Sequence, residues 1–110
     1  MEFATMTAAD HVLSALKGRG HTVGWWWDNV CEAMAIELHD GSVVHISDSN
    51  GSADHYPVQH LIGWWARHYP GAAAADFTSW TTIYQGQTGG DFTSDTRACV
   101  AAVDRFITSY

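Results

Sequence analysis

VCEAMAIELHDGSVVHISD, residues 30 to 48, holds two β-rich runs joined at Asp40-Gly41, and the way its halves pair decides the fold. Asp-Gly between such runs marks a hairpin, and the positions of the apolar side chains select its type. A two-residue loop at Asp40-Gly41 sets Leu38 against Val43 and Ile36 against His45, mixing polar and apolar groups on each face. A three-residue loop at His39-Asp40-Gly41, with Gly41 left-handed in a bulge, sets Ile36 against Val44 and Met34 against Ile46. Ala33, Ala35, Glu37, Val43, His45 and Ser47 then share the opposite face. The bulged hairpin is the expectation, because only that register gathers the large apolar side chains on one side.

Working outward toward the N-terminus, VGWWWDN at 23 to 29 reads as a strand over residues 22 to 27 that ends at an Asp-Asn turn signal. Alternation sends Trp25 and Trp27 to one side and Trp26 to the other. Trp25 and Trp27 are therefore expected in the core, while Trp26 needs a second surface, a partner or solvent. Before it, Thr7-Ala8-Ala9-Asp10 forms a capping box for a helix whose stripe is Ala9, Val12, Leu13 and Leu16, with Gly18 as its stop. Lys17 and Arg19 complement the helix dipole there.

Toward the C-terminus, SNGSADHYP is a loop, and Pro57 suits the first position of a helix reaching Tyr69. At 3.6 residues per turn Val58, Leu61, Ile62, Trp65 and Tyr69 fall in one sector, leaving His60, Trp64, Arg67 and His68 around the other side. FTSWTTIYQ follows as a strand in which Phe77, Ser79, Thr81 and Ile83 alternate with Thr78, Trp80, Thr82 and Tyr84. Thr93 or Ser94 caps a last helix with Cys99, Val100, Val103, Phe106, Ile107 and Tyr110 on its apolar face. The order helix, strand, hairpin, helix, strand, helix gives an α+β fold: a small, mainly antiparallel sheet of about four strands, with helices packed on one face.

The 110 residues suit a single domain over 1–110, with residues 1–6 disordered or a remnant preceding a start at Met6. A hydrophobic fraction of 46% supports a packed core, and the chain lacks an apolar run long enough for a bilayer, so a soluble protein is expected. No basic-then-apolar leader opens the sequence, which points to the cytoplasm. Cys31 and Cys99 form no CxxC pair and read as reduced, buried apolar residues. A net charge of −7 with only five basic side chains opposes the binding of nucleic acid. Low Lys and Asn with abundant Ala, Gly, Asp, Thr, Trp and His match a high-GC genome, and the short length suggests a bacterial or phage accessory or inhibitor protein.

Seven histidines show no HxxxH, HxH or HExxH spacing, so neither metal nor cofactor is expected. The loop Asp48 to Asp54 resembles the start of a calcium loop, but Ala53 stands where glycine is needed and Gln59 where a bidentate carboxylate is needed. Ser47, Ser49 or Ser52 near Asp54 and His55 offers hydrolase residue types without a GxSxG elbow. Trp26 and Trp64 are the misfits, each lying off the apolar face of its own element. Exposed tryptophan and arginine are typical anchors for a protein partner. The expectation is a non-catalytic binding or regulatory protein whose surface draws on Trp26, Trp64, His60, Arg67, Trp80 and Tyr84, meeting a protein partner or a second copy of itself. One alternative is a sugar or nucleotide pocket lined by Trp26, Trp64, Trp80 and Tyr84; another is a His/Asp hydrolase.

Overall fold

The computed structural model describes residues 8–27, 32–48, 63–71, 79–86 and 91–110. Its elements are α1 (Ala8–Gly18), β1 (Gly24–Trp27), β2 (Glu32–Glu37), β3 (Val43–Asp48), β4 (Trp64–Tyr69), β5 (Thr81–Gln85) and α2 (Phe92–Thr108). The strands form one antiparallel sheet in chain order, β1-β2-β3-β4-β5. Among the described residues that is five strands where about four were expected, because the second half of the anticipated middle helix is a strand. Among the described residues no helix is long and apolar enough to cross a membrane.

The central hairpin adopts the bulged register. Met34 pairs with Ile46 and Ile36 with Val44, and Gly41 has a φ of 85°, the left-handed conformation that a side chain resists. The Leu38 amide donates to the Ser42 carbonyl at 2.9 Å, and the Gly41 amide donates back to the Leu38 carbonyl at 3.1 Å. These bonds close the loop at His39-Asp40-Gly41. Met34, Ile36, Val44 and Ile46 consequently face the helices, joined in one core by Val12, Leu16, Trp64, Ala66, Cys99, Val100 and Val103.

The expected helix over 57–69 is overturned along Trp64–Tyr69, which pairs with β3 on one side and β5 on the other; residues 57–62 lie outside the described part. A strand covered on both faces carries no polar alternation, so its apolar spacing also satisfies a helical period. Trp64, Ala66 and His68 face the helices, while Trp65, Arg67 and Tyr69 face away. All but Arg67 are buried. The Trp64 indole, expected outside, is fully buried and donates from Nε1 to the Thr96 hydroxyl at 3.0 Å. Trp25 corrects in the opposite sense, being 45% exposed although it pairs with buried Met34. It stands on β1, which among the described residues is an edge strand of the sheet.

Two helix ends also move. The stop of α1 is Gly20, with a φ of 90°, rather than Gly18: the Gly20 amide donates to the Lys17 carbonyl and the His21 amide to the Leu16 carbonyl. This bond pair terminates a helix through a left-handed residue. The N-cap of α2 is Asp91, not Thr93 or Ser94, and its carboxylate accepts the Ser94 amide at 2.8 Å. Thr7, proposed as the cap of α1, lies outside the described residues.

Candidate binding surface

The face of β4 that points away from the helices builds the site. Trp65 and Arg67 are two residues apart in one strand, so their side chains rise on the same side. The Arg67 guanidinium carbon lies 4.3 Å from the Trp65 ring centroid and 4.5 Å from that of Trp80, which immediately precedes β5. Tyr69 extends the row, its ring centroid 6.0 Å from Trp80 and 5.0 Å from His45. Exposure rises across this group: Tyr69 and Trp65 are buried, Arg67 is half-buried and Trp80 is 45% exposed.

A β-bulge fixes the alignment. Ala66 pairs with Tyr84 but Arg67 with Thr82, so Ile83 is the extra residue. The strict alternation expected for residues 77 to 84 therefore fails at Ile83. Ile83 and Tyr84 both pack toward the core, while Thr82 is shifted beside Arg67. His45 pairs with Arg67 across β3, and burial pushes its pKa down to about 4. It is neutral at neutral pH and adds no second cation beside the guanidinium.

Of the expected site residues, Arg67 and Trp80 are brought together here. Trp64 and Tyr84 lie on the opposite, helix-covered side of the sheet, where Asp95 binds both: its carboxylate accepts the Trp64 amide at 2.8 Å and the Tyr84 hydroxyl at 2.5 Å. Burial, followed by the Asp95 contact, pushes the Tyr84 phenol above its ordinary range. An open hollow of about 410 Å³ borders this cluster, lined by Tyr84, Gly86, Asp91, Ser94 and Asp95 among others. Trp64 and Tyr84 thus line no common pocket with Trp80. Trp26 pairs with Ala33 in the ladder, and its side chain, like all of His60 and the calcium-like loop from 49 to 54, lies outside the described part.

A second polar cluster, without a signal in the residue pattern, stands at the hairpin tip. The Ser42 hydroxyl is 2.9 Å from His68 Nε2 and donates to Asp40 Oδ1 at 2.5 Å, and the Tyr110 hydroxyl donates to Asp40 Oδ2. Serine has one proton to give, and here the carboxylate takes it. In the tautomer that keeps the serine proton directed at Asp40, His68 Nε2–H donates to the serine oxygen. Ser42 and Tyr110 hold the Asp40 carboxyl well below its ordinary range, and burial lowers His68 despite the opposing charge of Asp40. This proton order ties the turn to the end of α2, and it is the reverse of a serine nucleophile poised beside a base. Elsewhere Cys99 is buried, and among the described residues no cluster of His, Cys, Asp or Glu has the makings of a metal site.

A helical period over residues 57–69 turns Trp65 and Tyr69 away from Arg67, whereas the strand sets all three on one side. Gly63 before two aromatic residues was the available signal, since glycine weakens a helix and aromatics favour strands. Comparison with known protein families, with curated proteins and with solved structures finds no match.

Proposed function

We propose that this chain is a non-catalytic binding protein of the accessory or inhibitor type, acting in the cytoplasm and engaging a protein partner through the Trp80–Arg67–Trp65 surface. The observation that carries it is an arginine within cation–π range of two indoles, one of them 45% exposed. Each such contact contributes about 0.5–1 kcal/mol at an exposed site and more once water is excluded. Arg67 is therefore held in place before binding, which lowers the entropy lost when a partner docks. Tryptophan and arginine at the centre of a contact are also the residue types that dominate binding energy. A sugar or nucleotide would call for facing aromatic walls, and Trp64 and Tyr84 stand across the sheet from Trp80.

The test is affinity capture from the native host with wild-type, Trp80→Ala, Arg67→Ala and Trp25→Ala baits, each first shown to be folded by circular dichroism. Trp25 serves as the control because it is equally exposed on the far edge of the sheet. A partner held by wild type and Trp25→Ala but lost from the other two supports the proposal. Retention by all four baits overturns it.

A further inference from the structure

Resting on the surface just proposed, the surroundings of Arg67 also define the chemistry of its partner. Guanidinium N–H groups donate in the plane of the group and are satisfied by lone-pair acceptors such as oxygen, whereas a cation–π contact offers only the face of an aromatic ring. The two indoles therefore hold Arg67 without satisfying its donors. Arg19 makes the contrast: its guanidinium meets the Asp104 carboxylate at 2.9 Å. Among the described residues no carboxylate lies within ion-pair distance of Arg67. Covering this half-buried cation with a purely apolar partner would strip its water and leave the charge unpaired, a costly outcome. A carboxylate in the guanidinium plane would instead gain paired, charge-assisted hydrogen bonds.

We propose that the occupant of this surface is a glutamate or aspartate side chain of a protein partner, flanked by an apolar residue that packs on Trp80. Two observations favour a single protein carboxylate over a polyanion. The chain carries a net charge of −7, which repels nucleic acid and multiply charged phosphate more strongly than one carboxylate on a neutral or basic protein. The immediate rim of Arg67 is indole, threonine and the neutral imidazole of His45 rather than further cations, with Thr82 and His45 its ladder partners. Such a rim suits an apolar flank.

The experiment titrates the full chain with a short capped peptide containing Leu-Glu-Leu and with its Leu-Gln-Leu counterpart, following the Trp80 indole N–H and the Arg67 Nε–H by NMR. The glutamate peptide is expected to bind wild type about tenfold tighter than the glutamine peptide, the worth of one charge-assisted hydrogen-bond pair. Arg67→Gln should collapse that ratio to about one. Arg67→Lys, which keeps the charge but loses the planar fork, should fall between and serves if Arg67→Gln does not fold. Trp80→Ala should weaken both peptides in parallel.

Equal binding of the two peptides to wild type overturns the carboxylate assignment while leaving the aromatic surface standing. A ratio that survives Arg67→Gln overturns it too, as does tighter binding of a phosphoserine peptide. If neither peptide moves the Trp80 signal the carboxylate inference falls, and affinity capture still judges the surface by itself.

Discussion

Trp64 and Trp65 are neighbours in sequence and sit on opposite sides of one strand, and that difference sets what each indole does. Trp64 is fully buried with its N–H bonded to Thr96, so Trp64→Ala is expected to cost about 3–5 kcal/mol in urea unfolding. Trp80→Ala, at a ring already 45% exposed, should cost under about 1 kcal/mol and remove most acrylamide-accessible change at that face. Comparable losses from the two variants would make Trp80 a core residue. His45 supplies a pH prediction. Its pKa lies near 4 in the folded chain against an ordinary 6.5, because burial disfavours the cation. Between those values the unfolded chain binds a proton that the folded chain refuses, so stability should fall as pH drops from about 6.5 to 4 and level off below. His68, lowered by burial as well, acts in the same direction, whereas the lowered carboxyls of Asp91 and Asp104 act at more acid pH. The urea midpoint of His45→Gln should therefore decline less steeply across this window than that of wild type; identical slopes would refute the assignment.

At the level of the elements, glycines separate backbone effects from packing. Gly20 and Gly41 have left-handed φ values of 90° and 85°, and an added Cβ at either would meet nothing within 4 Å. Gly20→Ala and Gly41→Ala should each cost about 1–2 kcal/mol through backbone conformation alone. Gly18 has equally open space but is helical, so Gly18→Ala should stabilise by up to about 1 kcal/mol. Melting temperatures of the three variants check the contrast, and a stabilising Gly41→Ala would contradict the bulged turn. The hairpin was legible in sequence because β2 and β3 bury large apolar groups on one face and smaller or polar groups on the other. The fourth strand was hidden because Trp64 to Tyr69 is packed from both sides, which leaves aromatic bulk on each face and no alternation to read.

Across the whole molecule, a few polar side chains lock helices to sheet. Asp95 on α2 accepts from the Trp64 amide of β4 and from Tyr84 of β5, joining three elements at one carboxylate. Asp104 binds Arg19 and His21 at the end of α1, and Tyr110 with Asp40 binds the hairpin tip to the end of α2. Asp95→Ala is expected to cost about 3 kcal/mol, since it strands a buried amide and removes a charge-assisted bond, while leaving Arg67 and its indoles across the sheet untouched. Unfolding measured beside the peptide titration checks both halves, and a lost peptide response in a folded Asp95→Ala would show the two faces to be coupled. By itself the sequence determined the α+β class, the register of the central hairpin and the apolar stripes of both helices, except that Tyr110, read as part of the last stripe, lies beyond the end of α2 and is exposed. Each of these follows from periodicity within a short stretch, where local geometry fixes which side chains share a face. Only tertiary structure decided that residues 64–69 form a strand, that Trp64 is core while Trp25 is half in water, and that Arg67 meets Trp80. Those outcomes depend on neighbours far along the chain: β3 and β5 supply the ladder for β4, the edge position withholds cover from Trp25, and a single bulged residue, Ile83, sets the alignment that places Thr82 beside Arg67.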